Sequence, residues 1–78
     1  MNKVVLTVNV IWDEDARMFV ATSDDIPGLA TEADSYEALL ARVEAITPEL
    51  LELNNNVPDV AEIPIAFHQN HYKSIRLH

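Results

Sequence analysis

Residues 23–35 read SDDIPGLATEADS and contain the one glycine of the chain, Gly28, directly after Pro27. A proline at the second position of a β-turn fixes φ, and a glycine at the third position supplies the positive φ that a type II turn requires. Asp25 stands where its carboxylate can brace the entry to such a turn. The sequence therefore predicts a structural turn at Asp25, Pro27 and Gly28.

The segment before this turn alternates between apolar and other residues with a period of two, which predicts a β-hairpin. Its first strand is expected over residues 4–12, its polar turn over residues 13–16 and its second strand over residues 17–23. We expect Trp12 to pair with Arg17 across the turn. The residues on the core face of the hairpin would then be Leu6, Val8, Val10, Phe19 and Ala21.

The other face of the hairpin is also partly apolar. A single helix covers one face of a small sheet, so the second face is a candidate interface for a partner. Acidic loop residues beside it could add contacts to a basic partner. The expected partner-binding residues are Val5, Thr7, Asn9, Ile11, Met18, Val20, Asp24 and Asp25.

A short third strand is expected over residues 29–32, followed by an amphipathic helix over residues 35–53. Within residues 35–53 the apolar residues recur at spacings of three and four, which is typical of a helix with one buried face. Asp34 is the expected N-cap, with Glu37 reaching back to it in a variant of the capping box. Pro48 lacks the amide hydrogen that would continue the ladder and therefore predicts a kink.

A fourth strand is expected around Ile65 because apolar residues alternate there at positions 63, 65 and 67. Pro64 favours an edge position for this strand. A fifth strand ending near Leu77 is possible. The expected class is α+β, in the order β-β-β-α-β with this possible extra strand, as an antiparallel or mixed sheet with one helix on one face. Residues 1–78 are expected to form a single domain.

The charge of the chain is strongly acidic. Thirteen acidic and five basic residues give a net charge of −8, and residues 1–62 hold all thirteen acids. Such a balance argues against nucleic acid as the main ligand and favours a basic partner. No membrane segment or signal peptide is recognised, so a cytoplasmic protein is expected. The core of so short a chain is small and cysteine is absent, which makes a homodimer a reasonable expectation.

The residues give little support for catalysis. The pair His68 and His71 is the strongest hint of a metal site, but no third ligand is marked, and zinc sites need three or four. Acids at positions 13–15 are ordinary turn residues. No catalytic residue, metal or cofactor is expected. Two alternatives stay open, namely a small metal- or ligand-dependent enzyme using His68 and His71, and an orphan domain that dimerises without another partner.

Residues 25–39, DIPGLATEADSYEAL, resemble the signature of HicB-type antitoxins, in which a hairpin leads into an Asp-x-Pro-Gly turn, a short strand and a capped helix. The resemblance implies a partial ribonuclease H fold without nuclease carboxylates. It also implies a domain that self-associates and that binds and blocks a small basic RNA-cleaving toxin of the HicA type.

The chain departs from this family in two places. Ala33 stands where the family usually has glycine. About nineteen residues follow Asp59, too few for the C-terminal DNA-binding module of the family, so no direct DNA binding is expected.

Overall fold

The computed structural model describes residues 5–55, 57–70 and 75–77. A mixed sheet with one helix packed on it confirms the α+β class. The elements run in the order β1 (Leu6–Asp13), β2 (Met18–Thr22), β3 (Ala30–Ala33), α1 (Tyr36–Leu53) and β4 (Ile65–Asn70). Within the described ranges the strand order across the sheet is β3-β2-β1-β4. β1 pairs antiparallel with β2 and parallel with β4, and β2 pairs antiparallel with β3.

The register of the β1–β2 hairpin differs from the sequence expectation by two residues. Trp12 lies opposite Phe19 rather than Arg17, and Val10 lies opposite Ala21. Arg17 belongs to the turn because its φ is +55°, and the Asp13 carboxylate organises that turn by accepting hydrogen bonds from two backbone amides inside it. A shift of two residues leaves every side chain on the same face. The predicted core face is therefore correct although the pairing was wrong.

The turn at Pro27 and Gly28 has the expected geometry. Gly28 has φ of +87°, and the Leu29 amide donates a hydrogen bond of 3.1 Å to the Ile26 carbonyl oxygen. These features close a four-residue turn with its positive φ at the third position, as a type II turn requires. The turn places Ile26 and Leu29 in the core.

Helix α1 begins one residue later than expected, and its N-cap is Ser35 rather than Asp34. Ser35 has extended backbone angles, and its Oγ accepts a hydrogen bond of 3.1 Å from the Ala38 amide. Ser35 immediately precedes the first helical residue, which is the position from which a short side chain reaches an amide three residues on. Glu37 lies in the first turn, where its charge is favourable to the helix dipole.

Pro48 does not end the helix, which continues to Leu53. The Thr47 hydroxyl donates a hydrogen bond of 2.6 Å to the Val43 carbonyl oxygen and is buried. After the helix, the Asn54 side-chain amide donates to the Leu50 carbonyl oxygen at 2.8 Å. The Leu50 carbonyl oxygen also accepts the Asn54 backbone amide at 3.2 Å, so Asn54 caps the helix with both of its donors.

β4 is the edge strand beside β1, and Pro64 lies just before it, as expected for a residue that cannot donate to a ladder. The Pro64 carbonyl oxygen still accepts a hydrogen bond of 3.0 Å from the Leu6 amide. The possible fifth strand falls partly on residues 71–74, which lie outside the described residues. Residues 75–77 are described and belong to no strand or helix.

The core lies between the sheet and one side of α1. Leu39, Val43 and Leu51 on the helix are buried, and so are Val8 and Val10 on the central strand. An aromatic chain closes one end, with ring centroids 4.8 Å apart for Trp12 and Phe19 and 5.8 Å apart for Phe19 and Tyr36. The helix therefore covers one face of the sheet.

Candidate interaction face

The open face is the side of the sheet that points away from α1. Residues directly opposite each other in a sheet share a face, so the observed register assigns its members. They are Thr7, Asn9, Ile11, Asp13, Met18, Val20, Thr22, Ala30, Glu32, Ala66, His68 and Asn70. The sequence-predicted residues Thr7, Asn9, Ile11, Met18 and Val20 thus lie together on one surface.

Two rows of side chains cross the whole sheet on this face. One row pairs Val20 with Ile11 at its centre, and Glu32 and Asn70 lie at its two ends. The neighbouring row has Thr22 and Asn9 at its centre, between Ala30 and His68. Side chains opposite each other in such rows lie about 4.5–5.5 Å apart at Cβ. The centre of the open face is consequently a continuous patch of aliphatic and short polar groups.

The aliphatic groups of this patch are accessible to a partner. Ile11 is 38% exposed, and Val5, which comes just before β1, is 44% exposed. Val20 and Met18 are half-buried by their neighbours in the sheet. A partner docking here would remove apolar area from water, which favours association.

Acidic groups border the patch at the hairpin turn. A shallow depression of about 430 Å³ is lined by Ile11, Trp12, Asp13, Glu14, Asp15 and Val20. The Glu14 carboxylate accepts a hydrogen bond of 2.6 Å from Trp12 Nε1 and lies 3.9 Å from the Arg17 guanidinium. That ion pair is exposed and contributes little to stability. The turn as a whole offers three carboxylates against one guanidinium.

The Asp25 carboxylate has a hydrogen-bond partner within the fold. Its Oδ2 accepts a hydrogen bond of 2.7 Å from the Thr7 amide on β1, so it joins the entry of the turn to the first strand. Ser23 completes the arrangement, because its Oγ donates to the Thr7 carbonyl oxygen at 2.5 Å and accepts from the Asp25 and Ile26 amides. Side chains thus continue the β1–β2 pairing to Thr7, two residues beyond the last ladder pair of Asn9 and Thr22, where the second strand has already turned away.

Asp24 differs from its neighbour. It is exposed, and among the hydrogen bonds of the described residues none involves its carboxylate. Both aspartates are exposed, so both charges face solvent, but among the described residues only Asp25 has a hydrogen-bond partner for its carboxylate.

The structure describes only one residue of the histidine pair, so it does not test a metal site formed by both. His68 is exposed on the open face beside Asn9, whereas His71 lies outside the described residues. Within residues 5–55, 57–70 and 75–77, no group of three His, Cys, Asp or Glu side chains is arranged to hold a metal ion.

A second surface feature, which the sequence did not indicate, is a groove between α1 and the segment 57–63. We call it the α1 groove. It has a volume of about 310 Å³ and its lining residues are Glu44, Thr47, Pro48, Leu51, Glu52, Val57, Pro58, Val60, Ala61, Ile63 and Ile65. Val57 and Val60 are exposed, and only the packing of their segment against the helix makes them walls of one groove, which no local sequence pattern specifies.

No helix in the described part of the chain is long and apolar enough to cross a membrane.

Comparisons with known proteins place the chain in a family. No curated protein matches the chain. The crystal structure of a hypothetical protein from the extreme thermophile Thermus thermophilus is similar, with a TM-score of 0.70, 40% sequence identity, and coverage of 94% of this chain and 99% of that one. The family model described as a domain of unknown function, DUF1902, matches residues 5–78, and the chain therefore belongs to the DUF1902 family.

Proposed function

We propose that this domain is a non-enzymatic interaction module of the HicB antitoxin type, whose open face binds and neutralises a small basic RNA-cleaving toxin of the HicA type. The observation that carries this proposal is the partly aliphatic open face, which the helix leaves uncovered. The signature at residues 25–39 supports the choice of partner class.

Charge supports a basic partner over a neutral one. The chain has a net charge of −8, and acids at 13–15, at Asp24 and at Glu32 lie around or on the open face. Opposite charges of this kind speed diffusional encounter and orient the two surfaces, and the effect weakens as salt rises. Apolar contacts at Ile11 and Val20 would then hold the complex.

The test mixes the purified domain with a candidate basic RNA-cleaving toxin and measures co-elution and RNA cleavage. The wild-type domain should co-elute with the toxin and suppress cleavage. Val20→Lys places a cation at the centre of the open face and should weaken binding by about tenfold or more, because the charge is buried against a basic partner. The association rate should fall as salt is raised.

Leu53→Lys is the matched control. Leu53 is 79% exposed at the end of α1, away from the open face, so the same substitution there should leave binding and inhibition unchanged. Circular dichroism should show that Val20→Lys and Leu53→Lys are both folded. If wild type neither co-elutes nor reduces cleavage, or if Val20→Lys inhibits as well as wild type, the open face is not the toxin-binding surface.

A further inference from the structure

The α1 groove is a mostly apolar channel with acidic sides. Leu51 and Ile65 are contributed by the helix and by β4, while Val57 and Val60 come from the loop opposite. Glu44 and Glu52 also line it and are exposed. A ligand that fits such a groove has aliphatic side chains on one side and a cation on another.

The segment 75–77 has this composition. Its sequence is Ile75-Arg76-Leu77, in which the two aliphatic residues share one side and the arginine faces the other when the chain is extended. Ile75 is 79% exposed and Leu77 is 84% exposed, so neither packs in the core of its own chain. We call residues 75–77 the arm.

The molecule is more elongated than a compact chain of its length. The Cα radius of gyration is 14.6 Å, whereas a compact chain of this length has a value of about 11.5 Å. The longest dimension is 54 Å, about twice the ~27 Å length that an 18-residue helix such as α1 can span.

We propose that the arm of one copy binds in the α1 groove of a second copy. Ile75 and Leu77 would lie against the apolar floor, and Arg76 would face Glu44 and Glu52. Complementary charge supports this occupant, because residues 63–78 contain two basic residues and no acid, while the groove is lined by glutamates.

A second copy fits better than the arm of the same chain. Ile65 lines the groove, and β4 runs from there to Asn70, a distance of about 17 Å along the strand. At Asn70 the chain is therefore at the far end of β4 from its own groove. Each copy has one arm and one groove, so a reciprocal exchange closes a dimer and leaves no site unfilled.

The oligomeric state measured by analytical ultracentrifugation tests the proposal. The wild-type chain should sediment as a dimer of about twice 8.8 kDa and dissociate on dilution. The double variant Ile75→Ser with Leu77→Ser, and separately Val60→Asp, should each be monomeric while keeping wild-type circular dichroism. Leu53→Asp is the matched control, since Leu53 is exposed on α1 but does not line the groove, and it should remain dimeric.

Mixing and charge reversal make the test specific to the arm and the groove. The arm variant retains a groove and Val60→Asp retains an arm, so an equimolar mixture should form a dimer with one intact contact. Arg76→Glu and Glu52→Arg should each weaken dimerisation by about tenfold or more, and their combination should restore it. A monomeric wild type, a dimer that survives loss of Ile75 and Leu77, or a double charge reversal without recovery would overturn the proposal.

This inference is independent of the proposed function. The dimer test contains no toxin, and Val20→Lys on the open face should leave the dimer intact. Toxin binding can therefore fail while the arm exchange holds, and the reverse is equally measurable.

Discussion

The two faces of the sheet are made from alternate residues of the same strands, yet their environments differ sharply. Val10 is fully buried beneath α1, whereas Ile11, the next residue along β1, is 38% exposed on the open face. Both are β-branched, so strand propensity accounts for both. The helix covers Val10 and leaves Ile11 uncovered, so the apolar character of the open face is not required by the core.

The largest expected effect tests this separation directly. Leu39→Ala removes a fully buried helix side chain that packs on the covered face, and it should lower the free energy of unfolding by about 2–5 kcal/mol. Small single cores supply about 3–5 kcal/mol in total, so this variant should be largely unfolded. Chemical denaturation followed by circular dichroism measures the loss.

Ile11→Ala is the partner variant on the open face. This substitution should lower the free energy of unfolding by less than about 1 kcal/mol, because the Ile11 side chain is already partly in water and its truncation leaves no cavity. If Leu39→Ala and Ile11→Ala lowered the free energy of unfolding equally, the open face would be covered in solution and the two faces would not differ.

A second prediction concerns the turn that closes the covered face. Gly28→Ala should destabilise the domain by about 1–2 kcal/mol, since φ of +87° is strained for a residue with a Cβ. The added Cβ would also lie 3.3 Å from Leu50 Cδ2, closer than an ordinary contact. Thermal unfolding measures the change.

Asn55→Gly provides the contrast for this turn. Asn55 already adopts φ of +54°, so glycine relieves strain there and the melting temperature should change little. An unchanged melting temperature for Gly28→Ala would show that the turn tolerates a Cβ and would remove the argument for glycine at that position.

The faces, the turn and the helix follow from short-range patterns, and the sequence predicted them for that reason. Period two assigns Val10 and Ile11 to opposite faces whatever the pairing, so the two-residue error at Arg17 did no harm. The N-cap was wrong by one residue because Asp34 and Ser35 are both good caps and only the backbone angles distinguish them.

The remaining features depend on residues that are far apart in the chain. The α1 groove exists only when the loop at Val57 and Val60 packs beside Leu51 and Ile65. The amide that Asp25 accepts from belongs to Thr7, eighteen residues earlier. No local pattern specifies either contact, which is why the composition of the open face could be predicted while the role of its acids could not.

The smallest expected effect separates the two adjacent aspartates at the border of the open face. Asp25→Ala leaves the Thr7 amide without its carboxylate partner and should cost about 1 kcal/mol of stability, the usual net value for such a hydrogen bond. Asp24→Ala should cost almost nothing. Both substitutions remove one negative charge, so both should slow association with a basic partner at low salt to a similar degree. If denaturation shows the same stability for the two variants, water satisfies Thr7 equally well, and the side-chain extension of the ladder has no energetic role. If only Asp25→Ala is destabilised, Asp25 secures the start of β1 through Thr7, whereas Asp24 contributes its charge alone.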